Sequence, residues 1–175
     1  RVPIFDGKSW KNLKIGEFVE KLNPTEIVDA HGTKAKKIKG YSTLGYNEIK
    51  KQVEIVPIYE ITKHLPSPFI KLKTEQNHEI ETTSDHQFYV RKGDQLINKK
   101  AISLYPGELL LAINSNFKSR KEINPVKIIS IEKSRKRKSY CLTINKTHNF
   151  FANNLLLHNC DGDEAAVMLL MDAFL

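Results

Sequence analysis

Three consecutive residues near the end of the chain, His158, Asn159 and Cys160, combine an imidazole, a side-chain amide and a thiol. An asparagine amide nitrogen can attack its own backbone carbonyl, closing a succinimide and releasing the next residue as a free amine. The amide is a weak nucleophile and the departing amine needs a proton. A neighbouring imidazole serves as acid or base, usually worth roughly 10²–10⁴-fold. A cysteine directly after the asparagine adds a thiol able to accept an acyl group. Taken alone, the tripeptide equally describes the polar end of a strand.

Two further groups could serve the same chemistry. His148 precedes His158 within "KTHNFFANNLLLHN", in a turn between two apolar strands that would carry both imidazoles toward one site. In "ETTSDHQFYV", Thr83 and His86 project from one polar turn. A hydroxyl and an imidazole so placed can hydrogen-bond a carbonyl and protonate an amide leaving group. A solvated His in a Ser/Thr-Asp turn accounts for the same letters. The cysteines are Cys141 and Cys160, with no C-x-x-C pair. That is too few for a disulfide scaffold and gives no structural zinc pattern, so a reducing, cytoplasmic setting is expected.

The elements that must position these groups read as short strands. "RVPIF" alternates and Asp6-Gly7 is a turn signal. "LKIGEFVEKL" spaces Ile15, Phe18, Val19 and Leu22 as one short helix ending before Asn23-Pro24. "QVEIVPIYEI", with Pro57 marking an edge or bend, "FIKLKT" and the two halves of "HEIETTSDHQFYV" follow as strands. "LYPGELLLAI" is a Pro-Gly turn before a buried strand, and the polar stretch near Ile113–Asn124 is a short surface loop. "PVKIISIEKS", "KSYCLTI" and "NFFANNLLL" complete the set, with the basic run Lys133–Lys138 as a solvated hairpin between two of them. A mainly β domain is expected. "DEAAVMLLMDAFL" differs, having helix formers at helical spacing.

Charge breaks at the same place as pattern. All 28 Lys and Arg precede Cys160 and face 16 acidic residues there, leaving residues 1–159 at +12 and residues 160–175 at −4. A surface so basic suits nonspecific phosphate contacts or simple solvation. No apolar run reaches the roughly 18–20 residues of a membrane span, and the start lacks a signal-peptide layout.

Taken together, T-x-x-H at Thr83–His86 and "YCLTI…THNFFANNLLLHNC" resemble the internal histidine motif and the C-terminal half of an intein, a self-splicing protein. "RVPIFDG…IGEFV" resembles the segment just inside an intein's N-terminal motif, so the resemblance spans nearly all of residues 1–160. It implies the mainly β, hedgehog/intein-type horseshoe of short strands with one or two short helices. It also implies roles. Thr83 and His86 activate the upstream scissile bond; Cys160 receives the N-terminal flank; Asn159 cyclises with help from His158 and His148. No metal or cofactor is implied for splicing. The initiating Cys or Ser expected at the start is not among the residues here, so a handful are expected to precede Arg1. Cys141 stands where many inteins have Asp, and would lie near Cys160 as a possible modulator of the site. A minor intein class uses a cysteine there, together with a Trp and a Thr where this chain has Phe88 and Leu157. Without helices resembling a homing endonuclease, residues 1–159 read as a mini-intein.

Residues 160–175, "CDGDEAAVMLLMDAFL", resemble the active-site stretch of the large subunit of the archaeal family-D DNA polymerases. By that resemblance the tail begins the C-terminal flank of a host polymerase. Asp161 and Asp163 would present carboxylates to Mg²⁺ there, and the host would bind DNA and a small subunit. An associated 3′–5′ exonuclease activity would belong to the same host. Ala165 stands where that family usually carries another acid. The competing readings are a hedgehog-like or cleavage-only autoprocessing domain, and a basic nucleic-acid-binding β-domain.

Overall fold

A computed structural model of the protein describes residues 1–114 and 122–159. Among these residues fourteen strands run in chain order: β1 Val2–Phe5, β2 Trp10–Leu13, β3 Glu26–Ile27, β4 Lys34–Lys37, β5 Ser42–Asn47, β6 Gln52–Pro57, β7 Glu60–Thr74, β8 Glu79–Thr83, β9 Gln87–Lys92, β10 Gln95–Lys100, β11 Leu109–Ile113, β12 Ile123–Thr143, β13 Asn149–Ala152 and β14 Leu155–His158. Among the described residues one helix, α1 Ile15–Leu22, follows β2, and a single 3₁₀ turn, Ala101–Ser103, follows β10. The mainly β horseshoe is what the sequence led us to expect.

The strands of the described residues form two sheets. One has the order β2-β1-β5-β6; the other runs β10-β9-β14-β11-β12-β7-β4-β3, with β13 added on β14 and β8 on β7. Alternation in β1 turns Val2 and Ile4 inward, where they join Phe18 and Val19 of α1, Phe88, Leu110, Leu142, Phe150 and Leu157 in one core. Helix α1 stops where Asn23 takes a left-handed conformation, at φ 51°, before Pro24. Pro57 ends β6, the outer strand of its sheet, where its missing N–H costs no ladder bond.

The closing hairpin is set by two asparagines. Asn153 and Asn154 have φ of 47° and 66°, and Ala152 pairs Leu155 across them. Positive φ at both turn positions is what a tight two-residue hairpin needs, and Asn tolerates it well. His158 is thereby registered opposite Asn149, beside the turn that carries His148.

The basic run differs from expectation. Lys133–Lys138 is no hairpin: β12 passes straight through it, pairing with β7 over nearly its whole length. Pro66 and Pro68 lie in β7 opposite this region and can donate no ladder hydrogen bonds. The mismatch is absorbed by register shifts between Ser134 and Arg137 and between Arg137 and Ser139. The sequence signals of a break became bulges in one continuous ribbon. The predicted loop near Ile113–Asn124 falls mostly outside the described residues, as does the predicted helix after Cys160. No helix among the described residues is long and apolar enough to cross a membrane.

Candidate active site

Asn159 ends the last hairpin and is almost wholly buried. The turn after β12 holds it at two points. The Asn159 backbone N–H donates to the carbonyl of His148 at 2.9 Å, and its side-chain Nδ2 donates to the carbonyl of Ile144 at 3.2 Å. His148 N–H donates to the same Ile144 carbonyl at 3.0 Å, closing a single helical turn with His148 at φ 57°. Asn159 Oδ1 is buried without a hydrogen-bond partner among the described residues.

The carbonyl oxygen of Asn159 faces His158 Nδ1 at 2.9 Å. A carbonyl only accepts, so Nδ1 carries the hydrogen in this contact. The ring stacks on Tyr89, centroids 5.8 Å apart, which fixes its plane. An imidazole N–H aimed at a carbonyl oxygen polarises it and stabilises the negative charge that grows there under attack. The Asn159 side-chain amide is meanwhile held by the Ile144 carbonyl.

His148 meets Asn159 through its backbone as well as standing near His158. Its side chain is exposed and lines a small cleft of about 400 Å³ together with His158, Tyr89 and Thr147. Its backbone carbonyl, not its ring, makes the described contact with Asn159.

Thr83 ends β8 and His86 follows in the turn, its N–H donating to Thr83 O at 3.2 Å. The turn is gripped from behind: Ala101 N–H donates to His86 O at 2.8 Å and Ile102 N–H to Ser84 O at 2.9 Å. The His86 ring sits edge-on to Phe88, and its Nε2 is buried without a partner among the described residues. Burial pushes its pKa down to about 4 against the opposing pull of Asp85, with the nearby His158 and His64 rings adding to the depression. The ring is therefore neutral near pH 7 and able either to donate or to accept.

Thr83, His86, His158 and Asn159 line one open cleft of about 1270 Å³, with Arg1 at its edge. Cys141 is not among the lining residues; it is buried in β12 opposite Thr62, its thiol 3.6 Å from Leu142 O. Cys160, Asp161 and Asp163 lie outside the described residues.

Sequence reasoning missed three supports. Asn149 is fully buried, and its amide donates to Tyr46 O at 2.9 Å while accepting from Tyr46 N–H at 2.7 Å, tying the His148 turn to β5. Glu108, also buried, pairs with Lys99 at 2.6 Å and accepts from Tyr105 N–H, bracing the chain that grips the His86 turn. His64 lines the large cleft with its ring nitrogens 3.2 Å and 3.3 Å from the hydroxyls of Thr33 and Thr62. A polar residue inside an apolar strand, as in "THNFF", was the one available signal for Asn149.

Residues 3–159 match the intein splicing domain family. The DNA polymerase II large subunit of Pyrococcus horikoshii is 32% identical over 144 residues, covering 79% of this chain and 10% of that protein. The corresponding subunit of Methanoculleus marisnigri is 25% identical over 182 residues, covering 99% of this chain and 14% of that protein. The chain thus spans about a tenth of the length of the relatives it matches. Among solved structures, the transcription factor IIB Mvu mini-intein superposes with a TM-score of 0.79 at 20% identity, covering 90% of this chain and 95% of that one. The TvoVMA intein gives 0.76 at 18% identity, covering 91% and 95%.

Proposed function

The chain belongs to the intein splicing domain family, whose reaction is protein splicing, and from that premise we propose how its residues divide the work. Residues 1–159 are the splicing domain and residues 160–175 begin the C-terminal flank. Asn159 Nδ2 attacks the Asn159 carbonyl carbon, the bond to the Cys160 nitrogen breaks, and a succinimide remains on the excised domain. His158 Nδ1–H stabilises the oxyanion; the His148 and Ile144 carbonyls hold the nucleophile in place. The cleaved amine takes up a proton, which the two imidazoles of the small cleft are placed to relay.

Thr83 and His86 act at the other junction. The side chain of the initiating Cys or Ser attacks the upstream scissile carbonyl, which the Thr83 hydroxyl orients, and forms an ester or thioester as the C–N bond breaks and His86 donates a proton to the leaving nitrogen. The Cys160 thiol attacks the activated acyl group, displaces the first nucleophile and carries the N-terminal flank as a thioester. After Asn159 cyclises, the freed Cys160 amine attacks that thioester, and the thiol is restored as the peptide bond forms. Every step is a proton or acyl transfer, so splicing needs no cofactor. The observation that carries this reading is the paired hold on Asn159, at its amide and its carbonyl.

For the host we propose a DNA-directed DNA polymerase large subunit, supported by the names of the relatives and by "CDGDE" after the junction. Asp161 and Asp163 would hold Mg²⁺ there; DNA, a small subunit and an associated exonuclease activity belong to that whole protein, and the setting is cytoplasmic. The test is to supply native upstream residues and follow the products by intact mass. A ligated flank with a free 1–159 domain supports the proposal; cleaved but unligated flanks favour a cleavage-only autoprocessing domain.

A further inference from the structure

The splicing steps proposed above assign no role to the basic run Lys133–Lys138, although five of its six residues are basic and exposed. These residues lie at the bulged middle of the β7–β12 ribbon, where register shifts leave Arg135 and Lys136 with no cross-strand partner. A bulge bends its strand and re-aims the side chains it carries. Neighbouring charges are already neutralised: Lys71 and Lys73 pair with Glu79, and Arg137 pairs with Glu81 while lying over the Phe69 ring. Among the described residues, Lys133, Arg135, Lys136 and Lys138 make no salt bridge.

We propose that this bulged ribbon docks the phosphate backbone of duplex DNA. At roughly 3.3 Å per residue, Lys133 to Lys138 extends about 16 Å. A duplex carries one negative charge per about 1.7 Å of axis, so that length faces roughly nine phosphate charges. A two-stranded ribbon is also slim enough for a major groove about 12 Å wide. The run from Lys133 to Ser139 contains no aromatic residue on which bases could stack, which favours duplex phosphates over a single strand. The contact is nonspecific in sequence, and at its far end Arg137 and Lys138 also line the large cleft that Asn159 lines.

The test is fluorescence anisotropy of a short labelled duplex with the Asn159→Ala chain, which keeps the protein intact. Four phosphate contacts predict a slope of log affinity on log salt of about −3.6, near a 100-fold loss between roughly 50 and 200 mM. Replacing Lys133, Arg135, Lys136 and Lys138 together by Gln should weaken binding at least about tenfold. The same change at the exposed Lys8, Lys39, Lys51 and Lys92 should weaken it less than about threefold. Changing Lys133, Lys136 and Lys138 to Arg should preserve binding, and thermal melts confirm that each variant is folded. Equal weakening by both Gln sets would overturn the proposal, as would absence of binding near 50 mM salt. Competition by polyglutamate as strong as by unlabelled duplex would also overturn it, pointing to an acidic protein partner.

Discussion

His158 Nδ1 lies 2.9 Å from the carbonyl oxygen of Asn159, the oxygen of the bond joining Asn159 to Cys160. If that contact stabilises the oxyanion, His158→Ala slows release of residues 160–175 by about 10²–10³-fold, within the range for losing one such donor. Tail release is timed by gel or mass. The circular dichroism of the variant should match the parent, because the ring lies at the end of a strand rather than in the core.

Asn149 replaces a missing stretch of β ladder by exchanging two hydrogen bonds with Tyr46. Asn149→Ala leaves a buried N–H and C=O unpaired and should cost about 2–4 kcal/mol by urea unfolding. Nearby, a methyl group on Gly45 would come within 2.3 Å of Thr147 Oγ1. Gly45→Ala should therefore push the His148 turn away from Asn159 and slow tail release at a stability cost of about 1–3 kcal/mol.

The His86 turn offers a test that separates the two junctions. With native upstream residues present, His86→Ala should slow cleavage at the N-terminal junction about 10²-fold or more while tail release persists. Glu108→Gln, which weakens the brace behind that turn, should produce a milder loss at the same junction and cost about 2 kcal/mol of stability. Equal loss at both junctions would assign either residue a structural role only.

Acid stability follows from the buried His86 ring. Its folded pKa, about 4, lies below the unfolded value near 6.5, so the unfolded chain binds the extra proton between those limits. The corresponding stability is complete above about pH 6.5 and is lost as pH falls toward 4, by up to roughly 3 kcal/mol. Burial moves His64 and His78 in the same direction, and the lowered carboxylates Asp6 and Glu20 also lose stabilising contacts in acid. The diagnostic is a difference: urea unfolding at pH 7 and pH 4.5 should show a smaller acid loss in His86→Gln than in the parent.

The sequence made the strands and the site motifs legible because alternation, Asn-Pro, Asp-Gly and Pro-Gly signals are local. Helix α1 and its end at Asn23 were readable for the same reason. What it concealed was pairing at long range. Nothing in "KSRKRK" announces that β7, with two prolines, runs alongside it as one ribbon. Nor does spacing reveal that the carbonyls of Ile144 and His148 hold Asn159, since backbone contacts leave no mark on residue type. Glu108 and Lys99 were equally hidden, because ordinary surface letters become a buried pair only in the folded chain.

The central claim is that Asn159 cuts the chain behind itself, and intact-mass spectrometry of the incubated protein tests it most directly. The native chain should lose residues 160–175 and leave a fragment one water lighter than its Asn-ended form, the mass of a succinimide. Asn159→Ala should keep its full mass under the same conditions. Release of the tail from both proteins at equal rates would contradict the account.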